Sequence, residues 1–464
     1  MNCLFFCVFY QEKYVDMLFF LLESTFIYAN MDENTCILIY TSTDFMNKIK
    51  KSHLFCEEKI KFEINDSYNS LDKACKARLD IFELPSIHLY DKILYLDIDI
   101  IIKDDINKVF NVCKEDILYV LEEGTINASI NGREDYWGKT LFGNEIDNYD
   151  DKSAFTSGIL LFKNCKNIKL LFHNIKEDMK KRKHTFHDQP FIIYNAFKYN
   201  LYNNKILKSL VVRIYDTNFD SIHSNKVIYH FAGGPGVYQN KIKNMRTFLN
   251  QIKDFTINSN IQKAKEYINT NLIPIIHNSG EKLEGNIFMI HHTTQYTNVF
   301  LNKVKNISNV VLNKNIKEVM EIGFNSGFSS LLMLISNPNI HISCFDLGEH
   351  KYTRPCYEKL KETFGKRIDI TIGDSTETLQ HVHNKYDLIH IDGGNSDKVA
   401  TSDIHNSYRL SRKGTILIMD DYDFSNLHKI WDFFVDYYKL TSLNITLYNS
   451  PHHDVKCINE KKNE

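Results

Sequence analysis

Short apolar runs bounded by polar turns recur through the first half of the chain, at Cys3 to Tyr10, Cys36 to Tyr40, Lys92 to Leu96, Ile117 to Leu121 and Gly158 to Phe162. Amphipathic stretches separate several of them, and that alternation predicts an α/β sheet covered by helices on both faces. The opening run lacks a basic leader and a small-residue cleavage site and turns polar at Gln11-Glu12-Lys13, so it predicts a buried first strand and no signal peptide. After His230-Phe231-Ala232-Gly233-Gly234 the pattern weakens into a polar, helix-like stretch from about Lys241 to Asn271. A second alternation starts near Ile316, with strand-like Val319 to Ile322, Ile340 to Phe345, Ile368 to Ile372, Tyr386 to Ile391 and Thr415 to Met419. It predicts a second, doubly wound unit. The expected organisation is a domain over 1–250, a helical linker over 251–284, a second domain over 285–464, and a polar, frayed tail from Pro451. The halves share an architecture class and no motif, so no internal repeat is expected.

Composition narrows the class. A chain of 464 residues is too long for one ordinary core, and 31 Phe with 26 Tyr allow well-filled ones. The net charge of -2 gives no reason to expect nucleic acid or an anionic membrane as partner, and no run approaches the roughly 20 apolar residues of a membrane span. Ten scattered cysteines without a CxxC pair point to free thiols in a reducing compartment, hence a cytoplasmic protein. Oligomeric state is left open.

The segment Lys92 to Lys103, KILYLDIDIIIK, ends an apolar strand in two acids one residue apart. In extended backbone, positions i and i+2 point the same way, so Asp97 and Asp99 can face one site. Hard oxygen ligands there suit Mg2+ or Mn2+ bridging the diphosphate of a nucleotide donor. Alone the pair is a weak signal, because acids at strand ends are common in turns. Around it stand Lys76-Ala77-Arg78-Leu79, Leu84-Pro85, Tyr90-Asp91-Lys92, Phe155-Thr156-Ser157-Gly158-Ile159-Leu160-Leu161-Phe162, His187-Asp188-Gln189-Pro190 and Val227 to Gly233, VIYHFAG. In that order these blocks resemble glycosyltransferase family 8, the glycogenin-like and galactosyltransferase-like enzymes, over about residues 1–245.

The resemblance implies a GT-A fold and a retaining transfer from a nucleotide sugar, a UDP-sugar by preference, to a glycan or other hydroxyl acceptor. It implies that Asp97, Asp99 and His230 bind the metal, that Arg78 steadies the acids or the nucleotide, and that Asp188 or Gln189 stabilises the cationic sugar. Taken singly, Arg78 could be a solvated helix charge, Asp188 an N-cap and His230 a hydrogen-bonded core histidine. The family's Lys-Pro-Trp element after His-Phe-x-Gly is replaced here by Gly234-Pro235-Gly236-Val237-Tyr238. Lys241, Lys243 or the backbone N–H groups of the Gly-rich turn are the candidates for its phosphate-binding lysine.

In the second half, Glu318-Val319-Met320-Glu321-Ile322-Gly323-Phe324-Asn325-Ser326-Gly327 is a strand and a Gly turn. Its ExGxxxG spacing lets backbone approach a ligand closely and departs from the GxGxxG of dinucleotide sites. With Asp346 ending a second strand, Asp374 a third, and Asp392-Gly393-Gly394 and Asp420-Asp421 ending two more, it resembles class I methyltransferases of the metal-dependent sugar and catechol O-methyltransferase kind. The resemblance implies a Rossmann-like fold and binding of S-adenosylmethionine by Glu321, Gly323, Gly327, Asp346 and Asp374, the last two otherwise being turn or N-cap aspartates. Three carboxylates at adjacent strand ends, Asp392, Asp420 and Asp421, repel unless a cation or shared protons intervene, and Mg2+ is the economical expectation. Asp392 is the candidate catalytic residue of this half. Asn395 stands where sugar-acting relatives carry a histidine, and His390 is expected to face away from Ile391, so the general base is unassigned. The whole reads as a bifunctional enzyme; a methyltransferase acting on a non-sugar diol, or a first half that binds nucleotide sugar without turnover, are the alternatives.

Overall fold

The computed structural model describes residues 1–130, 132–214, 222, 224–232 and 238–460. The chain forms two units, one of residues Met1–Lys50 with Cys56–Leu249, the other of Lys51–Phe55 with Asn250–Glu464. The boundary falls within the helix Tyr238–Tyr267. Among the described residues no helix is long and apolar enough to cross a membrane.

In the first unit the apolar runs become β1 (Asn2–Val8), β2 (Thr35–Thr41), β3 (Ile60–Ile64), β4 (Lys92–Leu96), β5 (Ile100–Ile102), β6 (Leu118–Thr125), β7 (Ser153–Lys163), β8 (Tyr202–Asn203), β9 (Val211–Arg213) and β10 (Ile228–His230). Seven make one sheet in the order β3-β2-β1-β4-β7-β6-β8, and β5-β10-β9 make a smaller one. Strands β3, β2, β1 and β4 run parallel, while β7 is antiparallel to both β4 and β6. All seven residues of β2 are buried, as is nearly the whole of β7, which is why these strands read as continuous apolar runs. Two pairings build the site. Leu96 lies opposite Ile159, which brings Gly158 against Asp97, whose N–H donates to the Gly158 carbonyl at 2.8 Å. His230 lies opposite Ile100, and the Phe231 N–H donates to the Asp99 carbonyl at 2.9 Å.

The second unit is a six-stranded sheet of β11 (Glu318–Ile322), β12 (His341–Asp346), β13 (Ile368–Ile372), β14 (Tyr386–Ile391), β15 (Ser411–Asp420) and β16 (His453–Cys457). Their order is β13-β12-β11-β14-β15-β16, parallel except for β16. Chain order reverses between β11 and β14, the point at which such sheets open a crevice at their carboxyl ends. The tail from Pro451 is a correction to the expectation of fraying. Val455 and Cys457 alternate with polar neighbours and are buried, so the segment pairs along β15 as an edge strand.

Gly323 follows β11 at φ 91°, and a Cβ there would lie 1.8 Å from the Asp392 carbonyl oxygen. Strand ends can approach this closely only with glycine. Gly323→Ala is therefore expected to destabilise the second unit by roughly 3–5 kcal/mol, from backbone overlap plus an unfavourable φ. Urea unfolding read by the buried Trp431, in a Trp137→Phe background that silences the other tryptophan, measures it.

Candidate active sites

In the first unit one ligand atom from each of Asp97, Asp99 and His230 lies within 4.8 Å of the others. The acids sit in the turn between β4 and β5, and His230 closes β10. Arg78 Nη1 stands 3.2 Å from Asp97 Oδ1 and donates to the Ser157 carbonyl at 2.6 Å, while its Nε lies 2.9 Å from Asp188 Oδ2. Its side chain is only 10% exposed, which rules out a solvated helix charge. Burial opposes the Arg78 charge, and Asp188, Tyr95 and Asp97 more than restore it. The Tyr95 hydroxyl donates to Asp97 Oδ1 at 2.5 Å, so that oxygen is held from two sides.

Asp188 immediately precedes the helix Gln189–Lys198 but caps no N–H; its buried carboxylate turns to Arg78 instead. Burial raises its pKa, with the Arg78 charge working against the rise. Gln189 Oε1 accepts from the Ser157 N–H at 3.3 Å and from its hydroxyl at 3.2 Å. Lys241 Nζ lies 2.6 Å from Asp99 Oδ2, and His230 Nε2 lies 3.4 Å from Asp99 Oδ1. Burial works to raise the Asp99 carboxyl, but Lys241 and His230 outweigh it and hold it well below the usual carboxylate range. Gly233 and the segment Gly234-Pro235-Gly236-Val237 lie outside the described residues.

These residues fit a divalent cation. Asp99 Oδ1 and His230 Nδ1 are buried without a hydrogen-bond partner, so His230 is not simply a satisfied core histidine. The space is kept open by Gly158, where a Cβ would come within 2.8 Å of both Asp97 Oδ2 and His230 Cε1. Tyr95, Ser157 and Gly158, which the sequence marks only as members of motif blocks, carry parts of their own in this arrangement. The β4–β7 pairing that places them is visible only in the fold.

The second unit holds a cavity of about 520 Å³ at the strand ends, lined among others by Gly323, Asp346, Asp374, Asp392 and Asp421. Asp346 accepts from the Asn325 and Gly348 N–H groups, each at 2.7 Å. Asp374 caps the short helix Ser375–Thr378 through the Thr376 N–H at 2.8 Å, the N-cap part expected of it, and it also lines the cavity. Glu321 and Gly327, expected at the cofactor, are not among the lining residues. Glu321 is fully buried; Ser330 Oγ donates to its Oε2, and its Oε1 lies 3.0 Å from His390 Nδ1. Gly327 stands at φ 76°, where a Cβ would strike the Phe324 ring and Leu360, so its part is to shape the turn.

His390 faces Glu321 across the β11–β14 pairing and reaches within 3.6 Å of Asp420 with Nε2. One ligand atom from each of His390, Asp392 and Asp420 lies within 4.8 Å of the others. His390 thus belongs to the acid cluster because it lies two residues before Asp392 and shares its side of the strand. Burial works to lower its pKa, and the neighbouring Asp420 and Glu321 carboxylates push it up to about 10.

Sequence reasoning missed Lys303. On the helix Leu301–Val311 its buried ammonium is paired with Asp420 Oδ2 and lines the cavity beside Asp392 and Asp421. Burial opposes that charge, and Asp420 and Asp392 outweigh the opposition. Asp392 and Asp421 are both raised, by burial first and by Asp420 next.

Two α/β units, each with acids gathered at its strand ends, suit an enzyme of two domains. The family descriptions agree, for the Glycosyl transferase family 8 model matches residues 27–235 and the Methyltransferase domain model matches residues 320–422. The chain therefore joins a glycosyl transferase family 8 domain to a methyltransferase domain. No curated protein matches it. Among solved structures it is similar to the WbbM bifunctional glycosyltransferase, with 19% identity over 55% of this chain and a TM-score of 0.40. This chain spans 51% of that protein's length. It is also similar to mouse xyloside xylosyltransferase 1, with 13% identity over 51% of this chain and 100% of that one at a TM-score of 0.36. The O-methyltransferase TomG from Streptomyces achromogenes shares 14% identity over 34% of this chain and 79% of its own, at a TM-score of 0.27.

Asp403 provides a pH signature for the second unit. It is buried next to Gly393, where a Cβ would meet its Oδ2 at 2.6 Å, and burial pushes its pKa up to about 6. The unfolded chain ionises it near the ordinary value of about 4. Between those values the unfolded state binds fewer protons, so stability falls as pH rises from about 4 to about 6. Asp403→Asn is expected to remove that slope, worth roughly 2–3 kcal/mol. Denaturation midpoints of the two proteins across this range check it.

Proposed function

We propose that the first unit transfers a sugar from a nucleotide sugar, a UDP-sugar by preference, to a hydroxyl acceptor, with retention at the anomeric carbon. The second unit then O-methylates a hydroxyl, a sugar hydroxyl being the preferred acceptor, with S-adenosylmethionine as donor. The observation that carries the first half is the buried set of Asp97, Asp99 and His230 around the gap that Gly158 leaves. Asp97, Asp99 and His230 would hold Mn2+ or Mg2+, whose charge offsets the negative charge that gathers on a leaving diphosphate. Arg78 fixes the geometry, since it ties Asp97 to Asp188 through separate nitrogens. Asp188 and Gln189 stand together at the start of one helix, close to the Arg78 and Ser157 groups that hold them. That placement suits a role in supporting positive charge on the sugar. Lys241, already beside Asp99, is the nearest described replacement for the family's phosphate lysine.

For the second half the support is the cavity at the switch point of the sheet, with Gly323, Asp346 and Asp374 on its wall. S-adenosylmethionine bound there would supply an electrophilic methyl group. Asp392 lines the same wall and is the candidate to receive the acceptor's hydroxyl proton. The ten cysteines are all unpaired, in keeping with a reducing compartment.

The full chain incubated with a panel of nucleotide sugars, labelled S-adenosylmethionine and Mn2+ is expected to give products heavier by one glycosyl unit and by one methyl group, read by mass spectrometry. Glycosyl gain without methyl label would refute the linked function. Asp99→Asn is expected to lower Mn2+-dependent turnover of the donor on the order of 100-fold or more, as loss of a metal ligand does. Unchanged donor hydrolysis by that variant would refute the metal reading.

A further inference from the structure

The acid cluster of the second unit already contains a cation. Lys303 projects from the buried face of the helix Leu301–Val311, its side chain 7% exposed, and its ammonium is paired with Asp420 Oδ2. The helix is fixed in place from several directions. Asn306 Nδ2 donates to the Tyr448 carbonyl at 2.8 Å and lies 2.9 Å from His453 Nε2, Asn309 Nδ2 donates to the Thr446 carbonyl at 3.0 Å, and Ser308 Oγ lies 2.8 Å from Ser336 Oγ. The Phe300 ring lies 5.6 Å from Nζ, so the ammonium has an aromatic neighbour as well as acids. Burying a lysine this deeply is costly without a partner, and the groups that face it are Asp420, Asp392 and Asp421.

We infer that Lys303 is the resident cation of the methyl-transfer site, and that its ammonium takes the place a divalent ion would fill among Asp392, Asp420 and Asp421. The inference rests on the methyl-transfer reading of this cavity. The residues do not fit a metal as they stand. Both Asp420 oxygens are engaged, Oδ2 by the Lys303 ammonium and Oδ1 by the Asp421 N–H, which donates to it at 2.7 Å, whereas Asp99 in the first site keeps Oδ1 without a hydrogen-bond partner beside its Lys241 pair. His390, between Glu321 and Asp420, turns a second donor group toward that carboxylate. Lys303 is a positioning residue. It holds the strand-end acids together and sets the charge that an acceptor hydroxyl meets on entering the cavity.

Mn2+ titration followed by electron paramagnetic resonance tests this without an acceptor. The first site is disabled by Asp97→Asn with Asp99→Asn in the full chain. With Lys303 intact, that protein is expected to bind no Mn2+ beyond the buffer control. Adding Lys303→Met is expected to create one Mn2+ site per chain, which Asp420→Asn abolishes, whereas Lys303→Arg keeps the charge and creates none. Mn2+ taken up with Lys303 intact and released by Asp420→Asn overturns the inference, as does a Lys303→Met protein that stays metal-free. Should Lys303→Met not fold, Lys303→Gln carries the same arm and the Lys303-intact measurement stands by itself. Calorimetric titration of S-adenosylhomocysteine into the same proteins judges the methyl-transfer reading separately. Absence of binding there removes that reading and leaves the Mn2+ result to decide the role of Lys303.

Discussion

Carboxylates gathered at neighbouring strand ends repel one another, and each unit of this chain is organised around the way that repulsion is met. In the first unit the cations act from the periphery. Arg78 and the Tyr95 hydroxyl hold one oxygen of Asp97, and Lys241 holds one oxygen of Asp99, while the other Asp99 oxygen faces His230. The inner atoms therefore converge with unused capacity. In the second unit the cation sits inside the cluster, since Lys303 pairs with Asp420 and lines the same cavity as Asp392 and Asp421. Similar sets of acids thus have opposite capacity for an external ion, and the placement of one basic side chain decides which.

Strand register does the assembling. Asp97, Gly158 and His230 are distant in sequence, yet the β4–β7 pairing joins the Asp97 N–H to the Gly158 carbonyl, and the β5–β10 pairing sets His230 opposite Ile100, with the Phe231 N–H on the Asp99 carbonyl. Such long-range pairing costs loop-closure entropy, and the deeply buried apolar faces of β2 and β7 are what offset it. The same logic operates in the second unit, where Glu321 lies opposite His390 on β14. A charged residue at the motif's first acid position serves to orient a histidine on the next strand.

Much of this was legible in the chain itself. Buried strands announce themselves as short apolar runs, and the order of the motif blocks pointed to Asp97, Asp99 and His230, the three side chains that the fold gathers. Three features were hidden for physical reasons. The helix carrying Lys303 buries Lys303, Asn306, Ser308 and Asn309 along with its apolar residues, so the usual equation of polar with exposed fails there. The strand His453–Cys457 buries only alternate residues and reads as a polar tail. His390 does face away from Ile391, and the same alternation sets it on the side of Asp392, two positions on, so its place in the acid cluster follows only once both neighbours are compared.

The family's lysine after His-Phe-x-Gly is absent from its expected place, but the charge it would contribute is not absent from the site. Lys241 lies near the start of the helix Tyr238–Tyr267, where its backbone is fixed by helical geometry, and its ammonium reaches Asp99 at 2.6 Å. A positive charge on that carboxylate reduces the negative potential that a polyanionic diphosphate would meet on approach, whether or not the ammonium touches the phosphate. A lysine on a loop can follow its ligand, whereas one on a helix must be shared between the acid and the incoming anion. The electrostatic requirement can thus be met by a residue that matches no motif position, because what a diphosphate senses is charge at a distance and not the order of residues along the chain.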